Sequence, residues 1–138
     1  AALALTACAS APSDAPVGPT LYQRLGGREA IKQVADDFVT NMAADPRVNA
    51  RFKALDAARV AKLQTNLADL ICDETGGPCA YLGKDMKTVH AGMGITEAEW
   101  NATVENLVKS LNKFKVGAKE QQELLGVVGG MKKAIVGQ

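Results

Sequence analysis

Residues 31–42 read IKQVADDFVTNM, and their apolar positions recur every three or four residues. That spacing places the apolar side chains on one face of an α-helix, whereas a half-buried strand would alternate. Segments within residues 60–71, 100–114 and 124–135 show the same period. The sequence therefore predicts an all-α domain of four long helices with short helices between them. The first stripe consists of Ile31, Val34, Ala35, Phe38, Val39 and Met42.

Glycine, proline and capping residues predict where these helices begin and end. Gly26–Gly27 precedes the first long helix, and the Gly-Gly-Pro turn at residues 76–78 ends the second. Thr96 and Glu99 are spaced as a capping box at the start of the third. Asp45–Pro46 is typical of an N-cap followed by proline in the first helical turn, so we expect a short helix there.

The composition of the chain is that of one globular domain. Its 138 residues carry 16 basic and 15 acidic side chains, for a formal charge of +1. Lysine and arginine are not gathered into a basic face, and only 4% of the residues are aromatic. We therefore expect no nucleic-acid partner, either double-stranded or single-stranded.

The first nineteen residues differ in composition from the rest of the chain. Residues 1–7 are small or apolar, and residues 9–19 are rich in Ala, Pro and Ser, as in a flexible tether. The tetrapeptide LTAC, ending at Cys8, resembles a bacterial lipobox, in which the cysteine receives lipid. An ordinary secretory leader and an alanine-rich tail are the alternatives. We predict a leader remnant and tether over 1–19, a globular domain over 20–138, and an exported lipoprotein anchored through Cys8 on the periplasmic or cell-surface side.

The other two cysteines favour a disulfide. If Cys8 is lipidated, Cys72 and Cys79 remain as a pair with six residues between them. The Gly-Gly-Pro turn in that interval can bring the sulfurs within bonding distance, and an oxidising compartment would preserve the bond. Two free thiols are the alternative. A zinc site is disfavoured, because two cysteines and a single histidine supply too few good ligands.

His90 is the only histidine of the chain. It lies in a predicted short helix that Gly92 and Gly94 end, and Met86, four residues earlier, shares its face. A histidine on such a face is more often hydrogen-bonded in a core than bound to a metal. With a single imidazole, bis-histidine ligation within one chain is excluded. The residues alone leave open both a metal ligand and a core histidine.

From Thr20 to the C-terminus, the order and spacing of several motifs resemble those of the group I truncated haemoglobins. The specific matches are LYQRLGG at 21–27, the Gly-Gly-Pro turn at 76–78, and HAGMGIT at 90–96. The resemblance implies a two-over-two helical sandwich that binds haem b, with His90 as the proximal iron ligand. No Cys-x-x-Cys-His motif is present in the sequence, so covalent c-type attachment is not expected.

The resemblance also implies the remaining residues of the pocket. Phe52 corresponds to the family's phenylalanine on the haem face, and Lys84 and Lys87 are candidates for the haem propionates. The helical stripe around residues 60–67 would cover the distal side. The complete set of candidate cofactor-binding residues is Val39, Phe52, Val60, Leu63, Gln64, Leu67, Tyr81, Met86, Lys87, His90 and Met93.

On the distal side this sequence departs from the family. The family usually carries a tyrosine at the position of Val39, where its hydroxyl donates to iron-bound oxygen. At the position of Leu63, the family can instead carry a basic residue or a histidine as the polar distal residue, and this sequence has neither there. Gln64 is then the one distal side chain able to donate a hydrogen bond, and we expect weak retention of oxygen.

Three functions follow from these observations. The resemblance implies a haem protein for diatomic gases (oxygen, nitric oxide or carbon monoxide), serving oxygen binding or transport, or oxidation of nitric oxide to nitrate. The alternative is a haem-binding redox or haem-carrier module without physiological gas binding, whose electron donor the sequence does not identify. The third is a helical lipoprotein without cofactor, in which His90 is a core residue. An absorption spectrum of the purified protein separates the third function from the other two.

Overall fold

A computed structural model describes residues 18–138, and within that range the protein is helical. The predictions for the leader and for Cys8 lie outside the described residues. The prediction of an all-α domain is confirmed: this part of the chain contains no strand, only an isolated bridge between Ile95 and Val136. The helices are α1 (Leu21–Arg24), α2 (Gly27–Ala44), α3 (Ala57–Glu74), α4 (Met86–His90), α5 (Glu97–Lys113), α6 (Ala118–Gly129) and α7 (Lys132–Ile135), with a 3₁₀ turn at Asn49–Arg51.

The long helices form two layers around one core. α2 packs against both α3 and α5, and α5 packs against α6, which is the two-over-two arrangement that the resemblance implied. The central cluster consists of buried side chains from α2, α5 and α6 that meet where the layers cross, namely Val34, Phe38, Leu107, Leu111 and Leu124. None of the helices between residues 18 and 138 is long and apolar enough to span a bilayer.

Capping interactions fix the helix boundaries. The capping box of α5 is confirmed, since the Glu99 amide donates to Thr96 Oγ1 (3.1 Å) and the Thr96 amide donates to Glu99 Oε2 (2.9 Å). Gly26 begins α2 with a φ of 99°, and a Cβ there would lie 2.9 Å from the Cβ of Ala30. The Gly-Gly pair therefore allows α2 to start directly after α1, because other residues rarely adopt such a backbone.

Two predicted helix boundaries are wrong. Asp45 does not start a short helix; it ends α2, and the 3₁₀ turn begins only at Asn49. Asp45 nevertheless makes the capping contact, because its Oδ1 accepts from the Arg47 amide at 2.9 Å, while its Oδ2 accepts from Asn106 at 2.8 Å. The fourth apolar stripe is also not one helix, because the helix is interrupted at residues 130–131 between α6 and α7. Two consecutive glycines disfavour the helix there, and packing of α7 against α4 favours the turn.

Candidate functional site

The apolar face of α3 is only partly covered by the rest of the protein. α3 and α2 each contain 18 residues, but α2 buries five side chains and α3 buries only Ala68 and Cys72. The predicted distal residues Val60, Leu63, Gln64 and Leu67 are all half-buried on α3. Half-buried apolar side chains in a row on a long helix are typical of a surface that covers a ligand.

Two further candidate residues come from the segments beside α3. Val39 lies on α2 and is 2% exposed, so its side chain lies in the interior of the domain. Phe52 directly follows the 3₁₀ turn, where its amide donates to the carbonyl of Asn49 at 3.0 Å. Its ring is half-buried, as expected of an aromatic side chain that covers one face of a cofactor.

His90 is the last residue of α4, and its ring is oriented by the preceding turn of the helix. Its Nδ1 lies 2.8 Å from the carbonyl oxygen of Met86. A carbonyl can only accept, so Nδ1 of the neutral imidazole carries the proton and Nε2 is left with a free lone pair. Asp85 caps the helix by accepting from the Thr88 amide at 3.0 Å. The structure thus presents one half-buried imidazole whose Nε2 is ready to bind a metal.

The remaining candidates lie around α4. Met86 and Met93 are half-buried, and Lys87 is exposed at the surface. Tyr81 is half-buried in the loop before α4, and its hydroxyl donates to the carbonyl of Lys84 at 2.7 Å. Burial, together with the nearby Asp85 carboxylate, raises the pKa of the Tyr81 phenol. This phenol therefore stays neutral and acts as a structural donor for the loop.

Cys72 and Cys79 form the expected disulfide, which joins the end of α3 to the loop that leads to α4. Their Cα atoms are 5.7 Å apart. Gly77 permits this approach, because a Cβ on it would lie 2.5 Å from Cys72 Sγ. Arg28 on α2 places Nη1 3.0 Å from Cys79 Sγ and forms a 2.8 Å ion pair with Asp69. The two walls of the candidate site are thus covalently connected.

Sequence reasoning missed one residue near the site. Arg51, immediately before Phe52, donates to the carbonyl of Met93 at 2.6 Å and pairs with Glu99 through both carboxylate oxygens. Arg51 and Glu99 are 48 positions apart in the chain, so no local pattern signals their contact.

The observed residues fit a haem. A flat apolar macrocycle would match the half-covered face of α3 and Phe52, and Nε2 of His90 would supply a nitrogen ligand to its iron. A surface depression of about 440 Å³ lies elsewhere. It is lined by the polar side chains of Asn41, Asp45, Arg47, Glu105, Asn106 and Lys109, with Ala44. A polar lining of that kind does not suit an apolar macrocycle.

Comparisons with known proteins agree with this geometry. Residues 20–136 match the bacterial-like globin family. The chain is 32% identical over 119 residues to a group 1 truncated hemoglobin of Tetrahymena pyriformis, which covers 86% of this chain and 96% of that protein. It is 29% identical to a group 1 truncated hemoglobin of Mycolicibacterium paratuberculosis, over 79% of this chain and 78% of the relative.

Solved structures give the same assignment. The crystal structure of the Tetrahymena pyriformis truncated hemoglobin in its Fe(III) form has a TM-score of 0.81 at 30% identity and covers 87% of this chain and 100% of that one. The 2/2 hemoglobin of a Synechococcus species, solved in the cyanomet state with covalently attached heme, has a TM-score of 0.78 at 27% identity, with the same two coverages. This chain therefore belongs to the group 1 truncated haemoglobins of the bacterial-like globin family.

Proposed function

We propose that this truncated haemoglobin, whose family cofactor is haem with its iron, binds diatomic gases at an iron held by His90. The observation that carries the proposal is the hydrogen bond from His90 Nδ1 to the Met86 carbonyl, which leaves Nε2 for the metal. When bound, haem b supplies an iron with a coordination position for oxygen, nitric oxide or carbon monoxide.

His90 performs the first task that this function requires, which is to hold the cofactor in one orientation. The Met86 carbonyl fixes the tautomer and the plane of the ring, and it increases the basicity of Nε2. The Asp85 cap holds the first turn of α4, so the ring is attached to an ordered segment.

The distal residues perform the second task, which is to exclude water and to discriminate between gases. Val39, Val60 and Leu63 supply an apolar wall without a donor. Gln64 carries the one amide among the distal candidates, and it is half-buried on α3. We propose that Gln64 is the donor toward a polarised gas ligand, with handling of oxygen or oxidation of nitric oxide to nitrate as the physiological role. Carbon monoxide and oxygen titrations, with stopped-flow mixing of nitric oxide, measure both activities.

Replacement of His90 tests the ligand assignment. His90→Gly should lose haem or require added imidazole to recover the five-coordinate ferrous spectrum, because no other histidine is available. Val89→Ala, at the neighbouring and 43% exposed position, is the matched control and should keep the wild-type stoichiometry. If His90→Gly binds haem with an unchanged ferrous spectrum in the absence of imidazole, His90 is not the ligand.

Export as a lipoprotein is a separate proposal. It is supported by the lipobox-like LTAC segment ending at Cys8 and by the Cys72–Cys79 disulfide, which persists in oxidising compartments. Membrane fractionation of cells that produce the full-length protein or its Cys8→Ser variant is the test. Equal membrane association of both proteins would refute the lipid anchor.

A further inference from the structure

We propose that Arg51 is a positioning residue of the haem site, which holds the loop after His90 against the corner that carries Phe52 and so maintains the iron–histidine bond. This inference rests on the proposed function, because it assumes that His90 binds the iron. It concerns a contact between two segments that are far apart in the sequence.

The contact consists of three hydrogen bonds from one guanidinium group. Nη1 donates to the Met93 carbonyl at 2.6 Å, while Nε and Nη2 donate to the two carboxylate oxygens of Glu99 at 3.0 and 3.1 Å. The Arg51 and Glu99 side chains are 31% and 21% exposed. A forked, charge-assisted pair that is largely shielded from water is both stronger and more directional than a surface ion pair.

The Arg51 contact reaches His90 through a short backbone segment. Met93, whose carbonyl accepts from Arg51, also donates its amide to the carbonyl of His90 at 3.0 Å. Gly92 and Gly94, on either side, have positive φ angles and no side chains that could anchor the loop. Arg51 therefore supplies a side-chain anchor to the loop at the turn directly after His90.

Glu99 extends the anchor to the far end of the same loop. The Glu99 carboxylate accepts from Arg51 and from the Thr96 amide (2.9 Å). It therefore connects the Arg51 guanidinium to the N-terminus of α5. These two donors also lower the pKa of Glu99, so the carboxylate remains ionised near neutral pH. The segment between His90 and α5 is thereby held at Met93 and at Thr96.

On its other side, Arg51 is directly continuous with Phe52. The 3₁₀ turn is closed by the Arg51 amide, which donates to Val48 at 3.1 Å, and by the Phe52 amide, which donates to Asn49. One side chain thus connects the segments that carry the proposed ligand and the proposed haem-facing ring. Two backbone bonds also hold the loop from the C-terminus, from Gly94 to Gln138 and from Gly137 to Ile95. Removal of Arg51 should therefore loosen the loop without unfolding the domain.

The test compares Arg51→Met, which keeps the aliphatic stem and removes every donor, with Arg51→Lys and with Arg47→Met. Arg47 is the matched control, because it lies on the same corner and pairs with Asp45 and Glu105 instead of Met93. The readouts are haem transfer to an excess of a haem-accepting apoglobin, the ferrous iron–histidine stretching frequency, and amide hydrogen exchange at Met93. Arg51→Met should release haem about tenfold faster, as for other residues that orient a metal ligand. It should also lower the stretching frequency and speed the exchange, with Arg51→Lys intermediate and Arg47→Met unchanged.

Each contrary result has a definite meaning. If Arg51→Met matches Arg47→Met in haem release and stretching frequency, Arg51 does not position His90. If it lowers the melting temperature but leaves the stretching frequency unchanged, its role is only structural, and the inference is wrong. Hydrogen exchange at Met93 needs no haem, so an unchanged exchange rate refutes the anchor even in haem-free protein. Failure of the proposed function would appear separately, as wild-type haem binding by His90→Gly.

Discussion

Loss of the disulfide should lower the melting temperature by an amount that the size of its loop determines. Cys72 and Cys79 are separated by seven positions, and closing such a loop in the unfolded chain corresponds to about 2.4 kcal/mol at 25 °C. A domain of this size loses roughly 3–5 °C in melting temperature per kcal/mol. We therefore expect a decrease of about 7–12 °C when the crosslink is removed.

Cys79→Ala is the variant that isolates the crosslink. Cys79 is half-buried, whereas Cys72 is 0% exposed, so truncation at Cys72 would add a cavity penalty to the loss of the bond. In thermal unfolding, the oxidised wild type should have the highest melting temperature. The reduced wild type and Cys79→Ala should melt at similar, lower temperatures. Reduction requires mild denaturant, because attack on Cys79 must expel a thiolate from the buried position 72.

Two results would refute this reasoning. One is a melting temperature of Cys79→Ala within about 2 °C of the oxidised wild type, which would mean that the unfolded chain is not constrained by this loop. The other is labelling of both Cys72 and Cys79 in denatured, non-reduced protein isolated from an oxidising compartment, which would mean that the bond does not form.

Two further predictions concern oxygen release and acid stability. Val39→Tyr should slow oxygen release roughly ten- to a hundredfold, because a hydrogen bond to a polarised ligand contributes about 1.5–3 kcal/mol. Carbon monoxide release should change little, and stopped-flow measurements showing equal changes for both gases would contradict this. The pKa of Glu123 is lowered by the hydrogen bond from Arg24, so its stabilising effect is present above the ordinary value of 4.5 and disappears as the pH falls toward the depressed one. Glu123→Gln should therefore lower the free energy of unfolding in urea at pH 7, and this difference from wild type should shrink below pH 4.5. A difference that does not depend on pH would exclude the ion pair as its cause.

Local patterns in the sequence were sufficient for much of the secondary structure. The apolar period of residues 31–42 predicted α2, whose buried side chains include Phe38 and Val39. The Thr96–Glu99 spacing predicted the start of α5, and the Gly-Gly-Pro turn predicted the approach of the cysteines. Each of these features depends on contacts within about eight residues, so a short window of sequence contains both partners.

The prediction of a haem site required more than local patterns. The only histidine and its spacing from Met86 identified a candidate ligand, but a histidine on such a face is more often a core residue than a metal ligand. The resemblance to the truncated haemoglobins favoured ligation, which stays a prediction. The three-dimensional arrangement added the physical reason, since the Met86 carbonyl takes the Nδ1 proton and α3 keeps a half-covered apolar face.

Long-range contacts account for what the sequence patterns predicted wrongly or did not show. Asp45 makes a local capping contact with the Arg47 amide, but it ends α2, and the distant Asn106 binds its second carboxylate oxygen. The apolar period continues from α6 into α7, but the glycine pair and the packing of α7 on α4 break it. The Arg51–Glu99 pair joins residues 48 positions apart. Such contacts form only when helices already formed by local preferences pack together, because the partners come from separate helices and loops and their meeting depends on the packing of the whole domain.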